Sequence, residues 1–235
     1  MRLATSGLAL LSCLIAVGPV SIAQPAATPR FPPGTAAAEV TVCVAPLGTV
    51  DGKVTAAVAR GLTAAFGFRA RVLPAAALPK AAFYPPRRRY RADRLLDHLA
   101  ADVVPGSGCE VVLGLTTVDI SVATETHADW GVLGLAYLDS QVAVISTFRA
   151  RRKVSWTTMV QRTIKTANHE LGHALGLPHD DSVAGCMMND AHGTVASVDA
   201  EAGVPCPHER AALEARLGLT LPAALRLDWA AVLGR

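Results

Sequence analysis

Between His169 and His179 the chain reads HELGHALGLPH, and this run leaves little freedom to the fold around it. His169 and His173 are four residues apart, so only an α-helix stacks them on one face and aims both imidazoles at one point. Glu170 points off that line and is better placed to take the proton of an attacking water than to ligate. Gly176 permits a left-handed stop and Pro178 biases Leu177 away from helical dihedrals, so the chain turns back and can return His179 to the same point. Three neutral imidazoles leave a fourth position open, the arrangement of a catalytic rather than a structural zinc. The expected site is therefore His169, His173 and His179 around one zinc ion, with Glu170 as general base.

The helix that carries the motif needs a buried back. Val160, Ile164, Ala167, Leu171 and Ala174 recur at helical spacing and supply it, with Ser155 or Thr157 as N-cap. Arg162, Thr166, His169 and His173 fall on the opposite side, which turns the histidines toward a cleft. Upstream, Val40 to Pro46 reads as a buried strand, and Asp51 caps a helix through Val54, Val58 and Leu62 that ends at Gly67. Further strands are expected over Phe68 to Leu73 and Glu110 to Thr117, with a helix through Leu95, Leu96 and Leu99 between them. Strand and helix alternate, which favours an α/β (α+β) domain with a mixed sheet. Gly131 to Thr147 reads as a hairpin turning at Asp139-Ser140. The basic run from Arg87 to Arg91 is either a solvated face or an anchor for carboxylates, and Leu217 onward, with Leu221, Leu225 and Trp229, is expected as a final amphipathic helix.

The chain's 235 residues suffice for one domain, and a formal net charge of +3 asks for neither nucleic acid nor an anionic membrane. Arg2, the apolar run from Leu8 to Val20 and the small residues of Ser21-Ile22-Ala23 read as a signal peptide over residues 1–23. Export to the periplasm or the exterior is expected, followed by a Pro/Ala linker over residues 24–38 and a domain over 39–235. Cys13 after Leu10-Leu11-Ser12 offers a lipid-attachment reading, against which the preceding apolar stretch is short. No later run reaches the length of a membrane span. Four cysteines remain after the signal, and in an exported chain disulfides come first to mind. For Cys43 and Cys109, both in expected strands, a bridge and two buried thiols stay open.

HExxHxxGxxH with a methionine soon after, Met187 or Met188, resembles the metzincin clan of metallopeptidases. The order of smaller landmarks narrows this. Pro46-Leu47-Gly48, Phe66-Gly67, Arg87 with Tyr90, a Leu-Gly-Leu-Thr strand leading to Asp119, Arg149, Arg162 and Lys165, then Met188-Asn189, Asp199 and Cys206-Pro207 look like the archaemetzincins over residues 39 to about 215. The resemblance implies a compact single-domain zinc peptidase, probed by peptide or protein substrates, whose edge strand over Gly131 to Tyr137 lies above the cleft, with Met188 as the Met-turn residue. It also implies that His169, His173 and His179 bind the catalytic zinc and that Glu170 is the base; a monomer is expected.

The departures are informative. Archaemetzincins commonly hold a second zinc on four cysteines, whereas here Asp180 and Glu209 occupy the first and last of those positions, and Cys186 is displaced by one. Set against that pattern, the remaining pair, Cys186 and Cys206, is expected as a disulfide that pins the loop below the active site. The alternatives are a residual metal site using Asp180 or His208, or two free thiols. At the level of function, matrixin-like or adamalysin-like metzincins and a non-hydrolytic zinc-binding domain are the rivals. An intact Glu170 argues against a binder, which has no use for a base.

Overall fold

The computed structural model describes residues 29–191 and 194–235. The expected signal peptide, Cys13, the first part of the linker and His192 lie outside the described residues.

Among the described residues nine strands form two sheets. β1 (Thr41–Leu47), β2 (Arg69–Val72), β5 (Val111–Thr116), β9 (Val142–Ser146) and β8 (Gly134–Ala136) make the main sheet in the order β2-β1-β5-β9-β8. The first four run parallel and β8 runs antiparallel along the edge. β1, β5 and β9 are almost wholly apolar and buried along their length, as parallel strands covered on both faces must be. The smaller sheet joins β3 (Phe83–Tyr84), β4 (Arg89–Arg91), β6 (Ile120–Val122) and β7 (Trp130–Val132) in that order.

One face of the main sheet is covered by the helices Gly52–Phe66 and Trp156–Ala174, which share a core with Val42, Val44, Leu113 and Ile145. Asp51 caps the first of these, its Oδ1 accepting from Lys53 N at 2.8 Å, and Gly67 ends it in the left-handed conformation at φ 73°. Ser155 caps the second by accepting from Thr158 N at 3.1 Å. The other face packs against the helix Ala92–His98, whose Leu95 and Leu96 are fully buried with Cys43, Val112 and Val144. Cys43 and Cys109 are disulfide-bonded across this second cluster.

Three expectations need correction. The strand expected over Gly131 to Tyr137 is two strands: β7 pairs with β6 in the small sheet, the chain crosses at Leu133, and only Gly134–Ala136 forms the edge of the main sheet. The helix expected beyond Leu217 is not continuous, because Gly218 at φ 74° terminates the helix Pro207–Leu217 and Pro222 follows. Leu219, Leu221 and Leu227 pack into the core from irregular chain, Leu225 is 71% exposed, and helix resumes only over Trp229–Leu233. The stretch read as linker is docked from Arg30 onward: Arg30 N and Phe31 N donate to Arg216 O and Leu217 O, at 3.0 and 3.1 Å, and the Arg30 guanidinium reaches Ala174 O. The basic run resolves in favour of an anchor: Arg87 and Arg89 bind Asp129, and Arg89 and Arg149 converge on Asp119, which ties β4 and β6 to the end of β9.

Candidate active site

The helix Trp156–Ala174 ends at the site, and its end is closed from several directions. Gly176 N donates to His173 O and Leu177 N to Gly172 O, with Gly176 at φ 97°, so the chain reverses where only glycine adopts the turn without strain. Asp139 N and Ser140 N, at the tip of the β8–β9 hairpin, donate to His173 O and Ala174 O at 3.0 and 2.9 Å. The carbonyls left free at a helix C-terminus are therefore satisfied by the hairpin, and the same bonds hold β8 over the helix.

The three histidines converge. His173 Nε2 and His179 Nε2 are 3.1 Å apart, and His169 Nε2 and His179 Nε2 are 3.3 Å apart. Their outer nitrogens are occupied: His169 Nδ1 lies 2.7 Å from Met187 O, and His173 Nδ1 2.7 Å from Leu177 O. Since a carbonyl only accepts, Nδ1 carries the proton in both rings and Nε2 turns its lone pair inward. Burial pushes His169 down to about 4, with His173 adding to the effect, and burial also lowers His173. Both rings are thereby neutral ligands. Nitrogens at the usual zinc distance on three corners of a tetrahedron are about 3.3 Å apart, so both separations to His179 suit that ion.

Glu170 lies in the same pocket. Burial, and after it the Glu201 carboxylate, push its carboxyl up to about 8. The pocket is a cavity of about 460 Å³ between β8 and the helix, bordered by Gly134, Leu135, Thr166, Glu170, Val198 and Glu201. Trp130 borders it too, while Asp129 is turned away into the arginine cluster.

Below the histidines, Met187 and Met188 are fully buried, and both pack on Gly172, where an added Cβ would lie 2.5 Å from Met188 Sδ. The loop that holds them is closed by the Cys186–Cys206 disulfide. Glu209, which looked like a mere loss of cysteine, holds the loop directly: its Oε1 accepts from Met188 N at 2.8 Å and its Oε2 from Cys206 N at 2.7 Å. Cys186, His208 and Glu209 do lie together, and His208 Nε2 is 3.1 Å from Asp180, but the sulfur is in the disulfide and the Glu209 carboxylate is taken by backbone. His98 pairs with Asp102 and the His127 ring lies tilted against Trp130; neither belongs to the group of three ligands.

Sequence reasoning missed Gly134, Glu201 and the role of Glu209. Only for Glu201 was a signal within reach. Arg162, Lys165 and Asp199 were recognisable landmarks, and they fasten the helix Val195–Ala200 to the histidine helix: Arg162 binds Asp199 through two nitrogens at 2.7 and 2.6 Å, and Lys165 Nζ binds Val198 O and Asp199 O. Glu201 follows directly.

Comparison with known proteins agrees with this geometry. A family model described as metallo-peptidase family M12B, reprolysin-like, matches residues 102–180, which include all three histidines. The archaemetzincin of Haloarcula marismortui is 31% identical over 166 residues, 67% of this chain and 90% of that one. That of Methanocaldococcus jannaschii is 26% identical over 159 residues, 66% of this chain and 82% of its own. Among solved structures, the archaemetzincin of Archaeoglobus fulgidus, complexed with malonate, superposes with a TM-score of 0.63 at 28% identity, covering 74% of this chain and 99% of that one. The Methanopyrus kandleri archaemetzincin shares the fold with a TM-score of 0.67 at 24% identity, covering 76% and 96%.

Proposed function

The chain belongs to the archaemetzincin family of zinc-dependent metallopeptidases, and from that premise we propose that it cleaves peptide bonds with His169, His173 and His179 as the ligands of a single zinc and Glu170 as general base. The observation that carries this reading is the convergence of three inward-facing Nε2 atoms beside a buried carboxyl in one pocket. Zinc bound there supplies Lewis acidity toward water and toward a carbonyl oxygen.

The protein's own groups do the rest. Glu170 takes the proton of the attacking water on its carboxylate and returns it to the departing amine nitrogen. Burial of that carboxyl raises its affinity for a proton. β8 is an edge strand whose residues border the cavity, so an extended peptide adds to the sheet there and presents its carbonyl to the histidines. Met188 serves as the apolar floor, and the disulfide with Glu209 keeps that floor in place without a second metal. Two disulfides among the described residues also favour an oxidising compartment, in keeping with an amino-terminal export signal. Among the described residues no helix is long and apolar enough to cross a membrane.

The test is zinc content measured together with turnover on a mixed peptide library. Glu170→Ala is expected to keep zinc and lose most turnover, whereas His173→Ala loses both. Undiminished cleavage by the Glu170 variant rejects the assignment.

A further inference from the structure

Glu201 is a buried carboxyl to which the fold gives electrostatic help from Lys165 but no hydrogen-bonded cation at its Oε2. It borders the cavity that holds Glu170, is 4% exposed, and its Oε2 is buried without a hydrogen-bond partner. Lys165 offsets its charge in part, but the hydrogen bonds of Lys165 and Arg162 go to other acceptors. Lys165 Nζ is held by the carbonyl oxygens of Val198 and Asp199, at 3.0 and 2.8 Å, and Arg162 is paired with Asp199. Its other charged neighbours are Glu170 and Glu209, of like sign, and the Glu209 oxygens are bound to backbone. A buried carboxyl left in this state costs free energy unless something arrives to pair with it.

The direction in which it lies is informative. Along the histidine helix, Thr166 is one turn before His169 and Glu170, and His173 is one turn beyond. The cavity that the histidines and Glu170 border is lined also by Thr166, on that preceding turn, and by Val198 and Glu201. If Glu170 hands its proton to the departing nitrogen, that nitrogen is on Glu170's side of the histidines. The side chain of the residue that carries it then enters the cavity toward Glu201. Val198 and Ala191 offer an apolar wall to a long aliphatic stem, and Glu201 meets its end.

Resting on the peptidase reading above, we propose that Glu201 makes this a peptidase selective for lysine or arginine on the amine side of the scissile bond. A charged hydrogen-bond pair formed in such a pocket discriminates on the order of tenfold to a hundredfold against a neutral side chain of equal length. The carboxyl that burial pushes up to about 8 in the free protein ionises when an ammonium or guanidinium enters beside it.

The test uses the full zinc-loaded chain and pairs of blocked peptides that differ only at the residue after the cleaved bond: arginine against citrulline, lysine against norleucine, and glutamate. Cleavage positions are mapped by mass spectrometry, and kcat/KM ratios are compared. The unsubstituted protein is expected to favour each basic peptide by tenfold or more, Glu201→Gln to bring the ratio to about one, and Glu201→Lys to shift preference toward glutamate. Thr166→Lys places an ammonium in the same cavity and is expected to abolish the preference with Glu201 intact, which covers the case in which the Glu201 variants do not fold. Turnover without basic preference, or a ratio unmoved by these variants, overturns the proposal alone. Absence of turnover on every peptide rejects the peptidase reading and the proposal with it.

Discussion

A Cβ added to Gly134 would lie 2.5 Å from Oε1 of Glu170 and 2.6 Å from its Cγ. The edge strand and the proposed base thus approach as closely as they do because residue 134 has no side chain. Gly134→Ala is expected to push the carboxyl aside and leave the histidines alone, since the strand keeps its pairing to β9 and Glu170 is the movable partner. Displacing a reacting group by about 1 Å costs roughly a hundredfold in rate. The variant should retain zinc and a near-normal melting temperature while kcat falls by about that factor. Normal kcat would mean that Glu170 does not need the position it occupies.

How much of this was legible beforehand depends on whether a residue's role is local. The helix, its Ser155 cap, the Gly176 reversal and the three ligands follow from spacing within one segment, and there pattern and structure agree. The split of the expected edge strand at Leu133 was not legible, because β7 and β8 are both apolar and only their partners, β6 and β9, distinguish them. Leu221, Leu225 and Trp229 imitate a helical stripe, but two of the three are anchored by contacts no local pattern encodes. Glu209 had been noticed only for what it was not. Its value comes from reaching back 21 residues to Met188 N.

That bond carries the next expectation. Glu209 is buried and accepts two backbone N–H groups, from Met188 and Cys206. Glu209→Ala leaves the buried Met188 N–H and the partly buried Cys206 N–H unpaired, and the buried one alone costs about 1–3 kcal/mol before relaxation. The variant should melt several degrees lower and release zinc faster to a chelator, because Met187 O no longer holds His169 Nδ1 as firmly. Glu209→Gln keeps one acceptor oxygen and is expected to fall between. Equal zinc release by all three proteins would separate this loop from the metal site.

The Cys186–Cys206 bridge closes the same loop over a sequence separation of 20. In the chain-entropy picture a loop of this size contributes about 3 kcal/mol. Replacing both cysteines by alanine should lower stability by that order, and combining the change with Glu209→Ala should cost less than the sum, since both restrain one segment. Strict additivity in denaturant titrations would show two independent restraints. Mass mapping of unreduced protein that finds both thiols free would remove the bridge altogether.

Glu201 gives stability a pH dependence of definite sign. Burial, offset in part by Lys165 and reinforced by Glu209, raises its folded-state value from 4.5 to about 8. A carboxyl whose folded value is raised is favoured in its neutral form, so its contribution is complete below pH 4.5 and is lost as pH rises toward about 8. Glutamine keeps the shape and cannot ionise. Glu201→Gln and the unsubstituted protein should therefore melt together near pH 4.5, and the variant should become progressively the more stable of the two as pH rises to about 8. The difference at the upper end is of order a few kcal/mol at most, given about 1.4 kcal/mol per unit of displacement. Melting curves at matched zinc content over this range decide the matter, and a gap that is constant with pH would mean that Glu201 stays ionised throughout and already has a partner.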